Sequence, residues 1–218
     1  MLEKTEKMAF GYLRKTLGKT PLCTRTTVAE LCQRCDELDM DDRGGYQIVG
    51  RELFDDPIDL DRMRMLLLDD AEISGYVVEE LPDDSFVIRE RIAPADEIHV
   101  RGIVSFELHT FAFMDIGRSV SITIQDGTIA CHHAPEAPTM RFIDDEMAER
   151  LNRLFATCGI AAWKPLWRAD NAVMDGEAWS LNILLKDGRA LECTGDDDWP
   201  MTFENLVDGI EEIVAGIR

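Results

Sequence analysis

The chain predicts an α+β protein, with an N-terminal helical segment ahead of a C-terminal antiparallel sheet that carries two helices. Three observations predict it. Residues 119–155 and 179–217 each read as strand, tight turn, strand and amphipathic helix. The turns are Asp126-Gly127 and Asp187-Gly188, and Asp-Gly between alternating apolar runs signals a hairpin because a type I′ turn needs positive φ at both central residues. The register holds as well: Asp126, Gly127 and Phe142 fall 61 positions before Asp187, Gly188 and Phe203, which predicts a duplicated ββα unit.

The N-terminal elements follow from local signals. Leu2, Phe10, Leu13 and Leu17 lie near helical spacing, and Gly18 ends that helix. Thr26 or Thr27 offers an N-cap, with Glu30 three residues beyond Thr27 in the pattern of a capping box, ahead of Val28, Leu31 and Leu38, which predicts a second helix to about Asp39. Residues 41–45 break the chain, and 46–54 read equally as strand or helix. Pro57, with Asp59 and Asp61 in the first turn, starts a third helix to about Ala71. Residues 76–80 and 85–89 then form a hairpin around 81–84. Three helices and a hairpin resemble a winged-helix domain in outline, giving an N-terminal domain over 1–93. A linker at 92–97, marked by Pro94, precedes a C-terminal α+β domain over 98–218.

The C-terminal domain opens on a β-rich run, 98–114, either one bent strand or two broken at Gly102. Helices at 144–157 and 203–217 carry apolar stripes, Met147, Leu151, Leu154 and Phe155 in one and Leu206, Ile210, Ile213 and Val214 in the other. Both stripes suit the same face of an antiparallel sheet.

Charge and cysteine content narrow the function. The net charge of −20 opposes contact with nucleic acid, whose affinity comes largely from cations neutralising phosphates. The first 34 residues run the other way, with seven Lys or Arg against three Glu. No stretch has the roughly 20 apolar residues a membrane span needs, and the N-terminus lacks the apolar core of a secretory signal. Six scattered cysteines without an export signal imply free thiols and a cytoplasmic protein.

Candidate chemistry is sparse. Cys32-x-x-Cys35 lacks the second ligand pair of a zinc site. Glu97-x-His99 and Glu107-x-His109 on predicted strands, with Cys131-His132-His133 nearby, suit a divalent ion only if the strands pair in register. Gly18-Lys19-Thr20 fails as a phosphate loop, because Leu13 stands where the first glycine belongs. No metal site, catalytic residue or cofactor is assigned.

The tryptophans carry more. Trp163, Trp167, Trp179 and Trp199 fall within 37 positions and suit either core packing or the wall of a ligand cleft or interface. With Asp175 and the acidic turn Asp196, Asp197 and Asp198, they are the candidate ligand or interface residues. The run from Asp175-Gly176 through Trp179, Leu181 and Ile183, followed by Thr194-Gly195, Pro200 and Phe203, resembles a D-G-x-x-W-x-L-x-I … [ST]-G-x-x-x-x-P-x-x-F module of uncharacterised bacterial proteins. The resemblance covers about the last fifth of the chain and implies a bacterial origin and no reaction. By residue chemistry, Pro200 fits the run-up to a helix that Thr202 can cap.

The leading expectation is a non-catalytic cytoplasmic binding or protein-interaction module whose partner is an unknown small molecule or protein. One alternative is a transcriptional regulator that meets DNA through Lys4, Lys7, Arg14, Lys15, Lys19 and Arg25 and senses a ligand with its C-terminal domain. A metal-dependent enzyme is a further alternative.

Overall fold

The computed structural model describes residues 25–36, 38–40, 46–48, 75–81, 85–112, 119–133, 136–169 and 177–216, together with Tyr12 and Thr16. The expected first and third helices, five of the six basic DNA candidates and Asp175 lie outside these residues, apart from Tyr12 and Thr16. Those two are helical, with the Thr16 hydroxyl donating to the Tyr12 carbonyl one turn back at 3.1 Å. The chain divides into two units, 1–90 and 91–218.

In the first unit β1 (Arg25–Thr26) leads into α1 (Val28–Gln33). The capping box closes as expected: the Glu30 amide donates to Thr27 Oγ1 at 3.2 Å, and the Thr27 amide donates to the Glu30 carboxylate at 3.0 Å. The helix ends earlier than the expected Asp39. Arg34 turns its amide onto the Glu30 and Leu31 carbonyls, and the chain leaves as β2 (Leu38–Met40), antiparallel to β3 (Tyr46–Ile48). The predicted hairpin is β4 (Tyr76–Glu80) and β5 (Phe86–Glu90), and β1 adds to β5, giving the order β1-β5-β4.

The second unit holds one seven-stranded sheet built around β6 (Ile103–Ala112), which follows a 3₁₀ turn at Val100–Gly102 and is a single strand. On one edge β6 takes β7 (Val120–Gln125), β8 (Thr128–His133) and β9 (Thr139–Phe142); on the other it takes β11 (Glu177–Leu185), β12 (Ala190–Asp196) and the short parallel strand β10 (Leu166–Arg168). The other pairings of this sheet are antiparallel. Registers such as Leu181↔Leu108↔Ile122↔Cys131 stack apolar residues on one face, because alternate strand residues share a side.

Helices α2 (Asp145–Cys158) and α3 (Phe203–Ala215) bury their stripes in the same core as that face. Asp144 caps α2 by accepting the Met147 amide at 2.8 Å, and Gly159, at φ +61°, ends it in the left-handed conformation. Thr202 does not cap α3. Its hydroxyl donates instead to the Cys158 carbonyl at 2.7 Å, tying the start of α3 to the end of α2. From β9, Arg141 donates to the Ile213 and Val214 carbonyls at 3.4 and 3.1 Å, satisfying the other end of α3.

Three further expectations change in this unit. Only the first turn is type I′, with Asp126 at φ +51° and Gly127 at +73°. At the second only Gly188 is left-handed, at +89°; the Gly188 amide donates to Leu185 O and Asp187 holds the Arg189 amide at 3.0 Å, which makes a three-residue loop. The register also slips beyond the turns: Phe142 ends an edge strand and is 72% exposed, whereas Phe203 begins α3 and is 5% exposed. Nor is 92–97 a free linker, since Ile92 sits in the core and its amide donates to the Ala190 carbonyl at 2.8 Å.

Candidate functional site: a groove beside the tryptophan cluster

Three of the four tryptophans meet around Phe203. Trp163 and Trp179 touch edge-on with centroids 5.8 Å apart, Trp179 and Trp199 stack at 5.9 Å, and Phe203 lies 4.6 Å from Trp199 and 5.0 Å from Trp179. Trp163 and Trp179 are buried, and each indole N–H finds a carbonyl: Cys158 O at 3.2 Å and Asp198 O at 2.8 Å. Burial without those acceptors would leave an unsatisfied donor. Trp167 stands apart on β10, half-buried, donating to Lys164 O at 3.0 Å while the Lys164 ammonium lies 5.1 Å over its ring.

The acidic turn is used internally. Asp196 closes β12 opposite Ala178, Asp197 adopts φ +52° and accepts the Glu177 amide at 2.8 Å, and the Asp198 carboxylate accepts the Trp199 amide at 3.0 Å. These bonds hold Trp199 at the outer edge of the cluster, where one side of it faces a groove.

That groove has a volume of about 670 Å³ and opens where the ends of β6, β7 and β11 meet the start of α3. Val120, Trp199, Phe203 and Val207 make an apolar floor, and Phe111 and Met201 stand at its rim, Met201 fully exposed. Glu177, Glu204 and Asp208 add three exposed carboxylates, and no Lys or Arg lines it among the described residues. Glu204 and Asp208 are one turn apart on α3, so both edge the same side as Val207.

The other candidates are placed elsewhere. Glu97 and His99 lie ahead of the 3₁₀ turn rather than on a strand, paired with each other at 3.4 Å, while Glu107 and His109 stand on the sheet face away from the helices. Cys131 and His133 point to the core side, where His133 Nε2 meets Glu211 Oε1 at 3.0 Å. Among the described residues no three His, Cys, Asp or Glu gather as a metal site.

The thiols are poor ligands and nucleophiles as they stand. Burial, with Cys35 adding to it, pushes Cys32 up to about 12. Burial likewise pushes Cys131 and Cys193 up to about 11. All three stay protonated near neutrality, and the thiolate is the reactive form. Of the basic DNA candidates Arg25 alone is described, and its Nε donates to Ser85 Oγ at 2.8 Å.

Sequence reasoning found Trp199 and missed Phe111, Glu177, Met201, Glu204, Val207 and Asp208 as groove residues. The signal available was Glu204 and Asp208 flanking Val207 on an amphipathic helix; nothing local pointed to Phe111, whose place depends on the pairing of β6 with β11. No helix among the described residues is long and apolar enough to cross a membrane. No protein-family model matches the chain, and no curated protein matches its sequence.

Proposed function

We propose that the chain is a non-catalytic binding module whose ligand seats in the groove beside Trp199. The observation that carries this reading is the groove itself, an aromatic and aliphatic floor of about 670 Å³ with a few polar groups on its rim, the usual make-up of a ligand site. Its chemical equipment suits holding rather than reacting. Thr110 is the one hydroxyl among the described lining residues, and it accepts the Val120 amide at 2.8 Å, which ties it to the backbone of the wall. The five described cysteines are free thiols, which fits a reducing cytoplasm.

Filling the groove tests the reading. Val207→Trp and, at the exposed rim, Met201→Trp are expected to abolish or strongly weaken binding of any compound that quenches tryptophan fluorescence in the unaltered chain. Circular dichroism should show the Met201 variant fully folded. Binding that survives both substitutions removes the groove from the account.

A transcriptional regulator is the second reading, and one observation favours it. A two-residue strand before α1 joins the outer edge of the β4–β5 hairpin, in the order β1-β5-β4, the strand arrangement of a winged-helix sheet. If this unit meets duplex DNA, replacing Lys4, Lys7, Arg14, Lys15 and Lys19 with glutamine should abolish the affinity and flatten its salt dependence. Absence of duplex binding by the unaltered chain at low salt ends the idea.

A further inference from the structure

We propose that the groove takes a small organic ammonium ion with an aromatic or aliphatic body, an assignment that rests on the groove being a binding site. Charge is the first argument. Two separate elements bring carboxylates to one rim, Glu177 from the start of β11 and Glu204 and Asp208 from α3, and no ion pair to any of the three is found among the described residues. The start of a helix by itself attracts anions, through its unpaired amides. Here Glu204 in the first turn and Asp208 in the next reverse that preference, so an anionic ligand meets three like charges.

Shape and surface supply the second argument. Beneath the carboxylates lies carbon: Val120, Trp199, Phe203 and Val207. An ammonium group at the rim meets the carboxylates, while its hydrocarbon body displaces water from the floor that Trp199 helps to make. A fully hydrated inorganic cation uses only the rim, and a neutral hydrocarbon only the floor. The volume of about 670 Å³ falls in the range of sites for small molecules.

A peptide adding itself as a strand is disfavoured by the backbone. Thr110 and Phe111 are already paired with Trp179 and Ala178, and the Val120 amide is held by Thr110, so these wall strands have little backbone left to offer. Recognition must then come from side chains, which selects for a compact ligand. The net charge of −20 adds a long-range field that draws cations toward the chain and weakens with salt.

The test uses three probes of matched body: phenethylammonium, 2-phenylethanol and 3-phenylpropionate, titrated into the full chain by calorimetry with tryptophan fluorescence alongside. Phenethylammonium is expected to bind about tenfold tighter than the alcohol, the carboxylate weakest, and the preference should shrink at high salt. The double variant Glu204→Gln/Asp208→Asn changes two exposed side chains, leaves Glu177, and should cut the preference for the ammonium over the alcohol by more than half. Equal or tighter binding of the alcohol or the carboxylate to the unaltered chain overturns the ammonium assignment. So does an ammonium preference that the double variant leaves intact. In either case, loss of all binding in Met201→Trp keeps the groove as a site and removes only the ligand class. No probe binding at all overturns the ammonium assignment, and probe binding untouched by Met201→Trp and Val207→Trp overturns the assignment and the groove together.

Discussion

Replacing Phe106 with alanine is expected to cost about 4 kcal/mol of stability, within the range for deleting a buried aromatic side chain. Phe106 is fully buried on the central strand, with Ile183 opposite on β11 and Ile124 opposite on β7, and its ring stacks on Phe155 of α2 at 5.5 Å. The substitution therefore empties the point where the two halves of the sheet and the first helix meet. Collapse is limited, because sheet backbone on both sides is fixed by ladder hydrogen bonds, so most of the lost volume stays as a cavity. Urea unfolding followed at 222 nm measures it. A loss under about 1 kcal/mol would mean that Phe106 is not the centre of this core. Pairing it with Phe155→Ala should show coupling of about 1 kcal/mol, since each ring is the other's stacking partner.

Gly195→Ala is expected to cost about 3 kcal/mol although it adds only one carbon. A Cβ built at Gly195 would stand 1.9 Å from Trp179 Nε1, 2.3 Å from Cε2 and 2.6 Å from the Asp198 carbonyl oxygen. Trp179 lies flat over the glycine as its cross-strand partner, and its N–H reaches Asp198 at 2.8 Å. The ring cannot tilt away freely, because Trp163, Trp199 and Phe203 hold it on its other sides. Either the indole moves and leaves a buried donor unsatisfied, or the 196–198 turn moves and releases Trp199. Both outcomes shift tryptophan emission along with the unfolding midpoint. A variant with unchanged emission and an unchanged midpoint contradicts this packing.

The sequence made the second unit more legible than the first for a physical reason. Asp126-Gly127 specifies its own turn, and the stripes of α2 and α3 announce the face they bury, so local chemistry suffices. Thr27 and Glu30 likewise made α1 visible. The end of α1 did not show, because the turn after Gln33 comes from the amides of Arg34 and Cys35 folding back, and residues 34–37 hold no Gly or Pro to mark it. Asp187 looked like Asp126, yet its carboxylate takes the Arg189 amide and guanidinium, which favours a three-residue loop over the two-residue turn.

The candidate site was legible in part for the same reason. Four tryptophans close in sequence drew notice, but which of them faces solvent depends on β11 lying between β6 and β12, a long-range pairing that spacing cannot reveal. The acidic turn reads as a surface feature in sequence, and it serves mainly as a clamp: Asp197 and Asp198 spend their oxygens on the amides of Glu177 and Trp199 and on the Trp179 indole.

The central place of β6 has a consequence for how the unit assembles. Its partner β7 arrives after a short excursion of the chain, whereas Leu108 meets Leu181 across 73 positions, so the two edges close at very different entropic cost. Closing the β6–β11 pairing is therefore expected to be the costlier step of assembly. Because the groove takes one wall from β6 and β7 and the other from β11 and α3, it exists only after that event. An occupant bridging both walls therefore acts as a latch on the finished sheet, resisting the opening that would otherwise begin along the β6–β11 seam.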